Sequence, residues 1–66
     1  MKLEYDSAAD AAYVRLADGE IVDSEEVRPG VIVDLDAQNR VVGIEVLHVQ
    51  KSRPDIDFNR LELERV

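Results

Sequence analysis

The sequence predicts an α+β fold: a small antiparallel sheet of about four strands, made of two hairpins, with a short C-terminal helix or an extended tail. Three observations carry that expectation. The stretch Val31 to Val49, VIVDLDAQNRVVGIEVLHV, is two apolar runs hinged by an Asp-Ala-Gln-Asn turn and reads as a central hairpin. The first sixteen residues alternate apolar and polar in two short runs around Ser7-Ala8-Ala9-Asp10. Finally, 66 residues with no repeat, no low-complexity tract and no linker-like run hold one domain, residues 1–66.

In the first hairpin, Leu3 and Tyr5 alternate with Lys2, Glu4 and Asp6, and Ala12, Val14 and Leu16 alternate with Ala11, Tyr13 and Arg15. Pairing Asp6 with Ala11 sets Tyr5 opposite Ala12 and Leu3 opposite Val14, which collects Leu3, Tyr5, Ala12, Val14 and Leu16 on one surface. A helix from Ser7 to Leu16 stands as the alternative, because Ser7 and Asp10 resemble a capping box, alanine favours helix and Asp18-Gly19 would end it. Glu20 to Val27, EIVDSEEV, reads as a short edge strand whose carboxylates discourage pairing with another chain. Arg28-Pro29-Gly30 then breaks it, since Pro29 lacks an amide donor and Gly30 tolerates positive φ.

In the central hairpin Asp36 suits the start of a type I turn and Asn39 accepts the left-handed conformation, so Asp36 should pair with Arg40. Counting outwards sets Leu35 opposite Val41, Val33 opposite Gly43 and Val31 opposite Glu45 on one face, with Asp34 opposite Val42 and Ile32 opposite Ile44 on the other. Both faces would then be apolar and need cover. After Val49, Ser52 and Pro54 read as a helix entry, but Ile56, Phe58, Leu61, Leu63 and Val66 form no clean helical stripe. The expectation is a short helix giving way to an extended tail.

Composition excludes more than it proves. A domain this small buries only about 60% of the surface its unfolded chain exposes, so stability should be modest. Eight basic and fifteen acidic side chains give a net charge of −7, which repels phosphate backbones and anionic membrane surfaces. Direct nucleic-acid or membrane binding is therefore not expected. The absence of cysteine removes disulfides and thiolate chemistry and fits a reducing compartment. The opening residues Met1 to Asp6 carry charges where a signal peptide needs an apolar run, and no segment approaches a membrane span, which points to a cytoplasmic protein.

No motif specifies a reaction, so the expectation is a protein that is not an enzyme, with no catalytic residue, cofactor or metal assigned. The sharpest apparent motif is Asp34 to Glu45, with acids at the first, third and twelfth places of a calcium-binding loop. Against it stand Gln38 at the fifth place, Asn39 where glycine is expected, and flanks that alternate as strands. The expected register also sets Glu45 about 10 Å from Asp34 and on the other face. His48 has no Cys, Ser or carboxylate spaced to orient it. Ser7, Ser24 and Ser52 lie in no nucleophile elbow and read as turn or cap residues. Glu25-Glu26, Asp34/Asp36 and Asp55/Asp57 are carboxylate pairs without a cleft, and the three glycines form no phosphate loop.

The chain resembles the YuzE-like family of small, mostly bacterial domains of unknown function. The resemblance is carried by Tyr5-Asp6-Ser7-Ala8-Ala9-Asp10-Ala11-Ala12-Tyr13-Val14-Arg15-Leu16, by Glu26-Val27-Arg28-Pro29-Gly30-Val31-Ile32-Val33-Asp34 and by Val42-Gly43-Ile44-Glu45-Val46-Leu47. It implies a compact α+β fold with an antiparallel sheet, and a hairpin rather than a helix between Ser7 and Leu16. It implies no activity and no catalytic residues, and an antitoxin-like companion role only by analogy. The functional expectation is a non-enzymatic protein-interaction module that binds a small basic partner. The alternatives are a metal- or small-ligand-binding domain using the acids around Asp34 and Asp36, and a purely structural self-associating unit. Two apolar hairpin faces and an irregular tail predict a homodimer, formed across the uncovered face or by exchange of the tail from Asp55 to Val66.

Overall fold

A computed structural model describes residues 1–66. Five strands join one antiparallel sheet: β1 (Lys2–Asp6), β2 (Ala11–Arg15), β3 (Asp23–Arg28), β4 (Val31–Leu35) and β5 (Val41–Leu47), followed by one short helix, α1 (Val49–Ser52). The spatial order is β1-β2-β5-β4-β3, so β5 lies at the centre and β1 and β3 form the edges. The fold is mostly β with a small helix. The first hairpin packs on neither face of the central one; it extends the sheet sideways, with β2 pairing to β5 through Ala12↔Val46 and Val14↔Ile44.

The turns follow local chemistry. Between β1 and β2 a hairpin forms, not a helix, with Tyr5↔Ala12 and Leu3↔Val14 in the expected register. Its turn closes because the Asp6 carboxylate accepts the amides of Ala8 and Ala9, at 3.0 and 3.2 Å, and Asp10 takes the left-handed conformation at φ 52°. Between β4 and β5, Asp36 and Arg40 pair as expected: the Asp36 amide donates to the Arg40 carbonyl at 2.9 Å, and Asn39 adopts φ 61°. Pro29 and Gly30 join β3 to β4, with Gly30 at φ 79°, the region a type II turn demands of its third residue.

The central register departs from simple counting. Leu35 does pair with Val41, but Asp34 pairs with Gly43, Val33 with Ile44, Ile32 with Glu45 and Val31 with Val46. Val42 is thus an extra residue in β5, a β-bulge that shifts every later pair by one place. The consequence is large, because a one-residue slip moves a strand's side chains to the opposite face. Instead of two apolar faces, the hairpin presents Val31, Val33, Ile44 and Val46 on one face together with Leu3, Tyr5, Ala12 and Val14, while Ile32, Asp34, Gly43 and Glu45 share the other with Tyr13. A second bulge, between Glu26 and Arg28, sits on the exposed edge strand β3.

The core is small. Only five of 66 residues are buried, the apolar ones being Ala12, Leu35, Val42 and Val49, and Val42 is the most deeply buried side chain. The loop after β2 closes that corner through bonds from the Leu16 amide to Val42 O, at 2.8 Å, and from the Val22 amide to Leu35 O, at 2.9 Å. The helix lies before Pro54, not after it: α1 starts beyond His48 and ends at Ser52, and residues 60–66 have no regular structure. Pro54 therefore follows the helix end, where its missing amide does no harm, and does not open a new one. No helix is long and apolar enough to cross a membrane.

Candidate functional site

Two polar networks organise the molecule. The first lies on the mixed face of the sheet. Tyr13 projects from β2 across the central strand, where Gly43 leaves room for its ring, and donates its hydroxyl to the Asp34 carboxylate on β4 at 3.0 Å. Ser24 on the edge strand donates to the other Asp34 oxygen at 2.6 Å. One carboxylate thus ties β2, β4 and β3 together. A Cβ at position 43 would overlap the Tyr13 hydroxyl and sit 2.6 Å from its Cζ, so the absent side chain is what lets the ring cross. Burial, reinforced by the bond to Asp34, raises the Tyr13 phenol above its ordinary value of 10.0.

The second network joins the first turn to the chain's far end. Asp10 accepts the amides of Gln50 and Lys51 on its two oxygens, at 2.9 and 3.0 Å, and its backbone carbonyl accepts the Val49 amide at 3.2 Å. A residue 40 positions upstream therefore supplies the cap that α1 lacks locally, since His48 in the cap position makes no side-chain bond to the helix. Tyr5 donates to the same carboxylate at 2.8 Å and stacks on Phe58 with ring centroids 4.0 Å apart, which holds the start of the tail against the sheet. The Gln50 amide, with help from Lys51 and Tyr5, holds the Asp10 carboxyl below its ordinary value of 3.8. The bond to Asp10 raises Tyr5 above 10.0.

Each candidate from the sequence has a defined place. Asp36 spends its carboxylate inside its own turn, accepting the Gln38 and Arg40 amides and the Arg40 guanidinium, all at 2.9 Å, and the Arg40 amide foremost lowers its pKa. Glu45 shares a face with Asp34, contrary to expectation, because the bulge shifts it; the two are diagonal neighbours on adjacent strands, on the order of 7–8 Å apart. Tyr13, which pairs with Glu45, passes its ring over Gly43 to reach Asp34. A calcium loop is not what this segment builds, and no three His, Cys, Asp or Glu side chains cluster as metal ligands. His48 is exposed in a left-handed conformation at the junction of β5 and α1.

Ser52 bonds back to the His48 and Val49 carbonyls, Asp55 pairs with Arg53, and Asp57 accepts the Asn59 amide. Ser24 departs from its expected turn role, for it bridges strands. Spacing marks Asp10 only as a partner of Ser7 in a helix that does not form and gives no sign of Tyr13, although a glycine inside a strand, as at Gly43, is itself a sign of a close approach. Chemically, Asp34 receives two hydroxyl protons without a histidine beside it, and the surface around it is a shallow sheet face. Nothing in this geometry points to an enzyme.

No curated protein and no solved structure matched the chain. One family model did, over residues 2–50, a span that takes in all five strands and ends at Gln50, the residue whose amide Asp10 holds. With that match covering most of the sequence, the chain belongs to the family described as "Protein of unknown function (DUF2283)".

Proposed function

We propose that the protein is a non-enzymatic interaction module, antitoxin-like in character, that takes an extended basic segment of a small partner protein along its acidic edge. The observation that carries this reading is the edge strand β3. Asp23, Glu25 and Glu26 are all exposed on it, and its outer hydrogen-bonding side faces no neighbour. Alternation spreads the acids over both faces of the strand, so another copy of the same edge meets like charge while a strand rich in Lys and Arg meets opposite charge. The other edge, β1, is different: its Glu4 is already paired with Lys2 at 3.0 Å. The net charge of −7 adds attraction at longer range for a basic partner.

A synthetic peptide of alternating Lys and Val is the probe, followed by amide chemical shifts in the labelled protein. Shifts should centre on residues 23–28, and affinity should fall at least tenfold between about 0.05 and about 0.5 M salt. Joint Glu25→Lys and Glu26→Lys substitution should abolish binding. Shifts elsewhere on the chain, or equal binding by the variant, would remove the basis for an acidic docking edge.

A further inference from the structure

We infer that the open apolar face of the sheet binds a second copy of this chain. The accessible surface is 5470 Å², whereas a compact 7.4 kDa chain exposes about 4,200 Å². The excess is roughly 1,300 Å², more than the ~800 Å² that each partner contributes to a standard-sized protein interface. The radius of gyration, 12.8 Å, likewise exceeds the about 10.8 Å of a compact domain of this length. The chain is more open than a compact monomer of its size.

Part of the excess is the tail, where Leu61, Leu63 and Val66 are 72%, 84% and 118% exposed, and part is the apolar face of the sheet. Leu3, Val14, Ile44, Val46, Val33 and Val31 run as one strip across β1, β2, β5 and β4, and the molecule has no second sheet to lie over them. Leu3 and Val46 are each 37% exposed. The tail skirts one margin, where Leu61 and Leu63 line an apolar depression with Met1, Leu3 and Val14, yet these two leucines stay 72% and 84% exposed themselves. Antiparallel sheets do leave one face in water, but that face is normally the polar one. Here the apolar face is left half-exposed beyond the part where Ala12 is buried and Phe58 stacks on Tyr5.

Charge selects the occupant. The strip has no ionisable side chain from Leu3 to Val33; by the ladder, Glu25, opposite Val33, and Arg28, opposite Val31, mark its margin on β3. A basic partner finds nothing to pair with there, whereas an identical apolar strip is self-complementary under a twofold axis. Two such sheets stack about 10 Å apart with strands roughly aligned, as in a sandwich. Because each copy carries −7, the association should strengthen as salt screens the repulsion, the opposite sign from docking of a basic segment on β3. Either behaviour can fail without the other.

The test is sedimentation equilibrium of the full chain over a dilution series, at low and at high salt. The expected result is twice the 7.4 kDa chain mass at high concentration, dissociation on dilution and tighter association at high salt. Val46→Lys and, separately, Leu3→Lys should weaken the dimer at least tenfold while circular dichroism still reports the sheet. Removal of residues 60–66 should leave it intact. A monomeric mass for the unmodified chain at every concentration would overturn the inference whatever the variants do. So would a dimer that survives both lysine substitutions in folded protein, or one that disappears only with the tail.

Discussion

Replacing Gly43 by alanine tests the crossing of the sheet by Tyr13. The new methyl would overlap the Tyr13 hydroxyl, lie 2.6 Å from its Cζ and 3.0 Å from the Val14 carbonyl oxygen. The ring can escape only by leaving the strand, which breaks its bond to Asp34. A lost hydrogen bond to a charged group costs about 1.5–3 kcal/mol, and overpacking adds about 1–3 kcal/mol if the ring stays. Because the methyl would occupy the place of the hydroxyl, the ring cannot stay and the lost bond sets the cost, while alanine returns about 0.5–1 kcal/mol through the less flexible unfolded chain. The net loss is then about 1–2 kcal/mol, or a fall in Tm of about 4–16 °C for a domain of this size. Urea unfolding followed by circular dichroism, at one protein concentration, measures it. In a Tyr13→Ala background the same substitution should be close to neutral, since the gain of about 0.5–1 kcal/mol through the unfolded chain then opposes only the tight contact with the Val14 carbonyl. Equal losses in both backgrounds would show that the ring is not the reason for glycine here.

Substituting Asp10 by glycine keeps its left-handed backbone but removes the distant cap, so the amides of Gln50 and Lys51 should exchange hydrogen many-fold faster while the central strands stay protected; unchanged protection of α1 would mean the helix does not depend on Asp10. On the acid side, Asp10 and Asp36 have pKa values lowered by folding, so their contribution is present above the ordinary 3.8 and is lost as pH falls through the lower folded values. Thermal melts should lose stability below about pH 4, less steeply once Asp36 is changed to Asn. On the alkaline side both tyrosines are raised, so stability holds below the ordinary 10.0 and is lost as pH rises through the higher folded values. Absorbance titration should show no tyrosinate at an ordinary pKa, and a group ionising at 10.0 would refute one of the two bonds. Phe58→Ala should free the tail without opening the sheet, taking backbone order parameters beyond Arg53 below about 0.6; a tail as rigid as before would deny the stacking its role.

Much of this fold is legible residue by residue, and the legible parts share a physical character. The β1–β2 register follows from two short alternating runs and an acidic turn, and Asp36 with Asn39 specifies the loop between β4 and β5, because each turn's chemistry acts over four or five residues. The edge position of β3 and its end at Pro29-Gly30 are equally local, written in exposed acids and a missing amide. The Val42 bulge is not, since Val41-Val42-Gly43 alternates equally well in either register; only the fit of β5 between β2 and β4 decides which face Ile44 and Val46 occupy. The helix is misplaced by sequence reading for a related reason: its cap comes from Asp10, across the molecule, and no local pattern announces it.

The sequence by itself determined the antiparallel hairpins, their turns, the acidic character of the surface and the lack of any thiolate or nucleophile motif, all of which depend on composition or on neighbours within a few residues. Tertiary structure alone decided that β2 lies beside β5, that a bulge sorts the apolar side chains onto one face, and that Tyr13, Asp34 and Ser24 meet across Gly43. Those outcomes join residues ten or more positions apart. They are settled by the free energy of whole strands packing side by side, where one register buries Val42 and leaves the polar groups bonded.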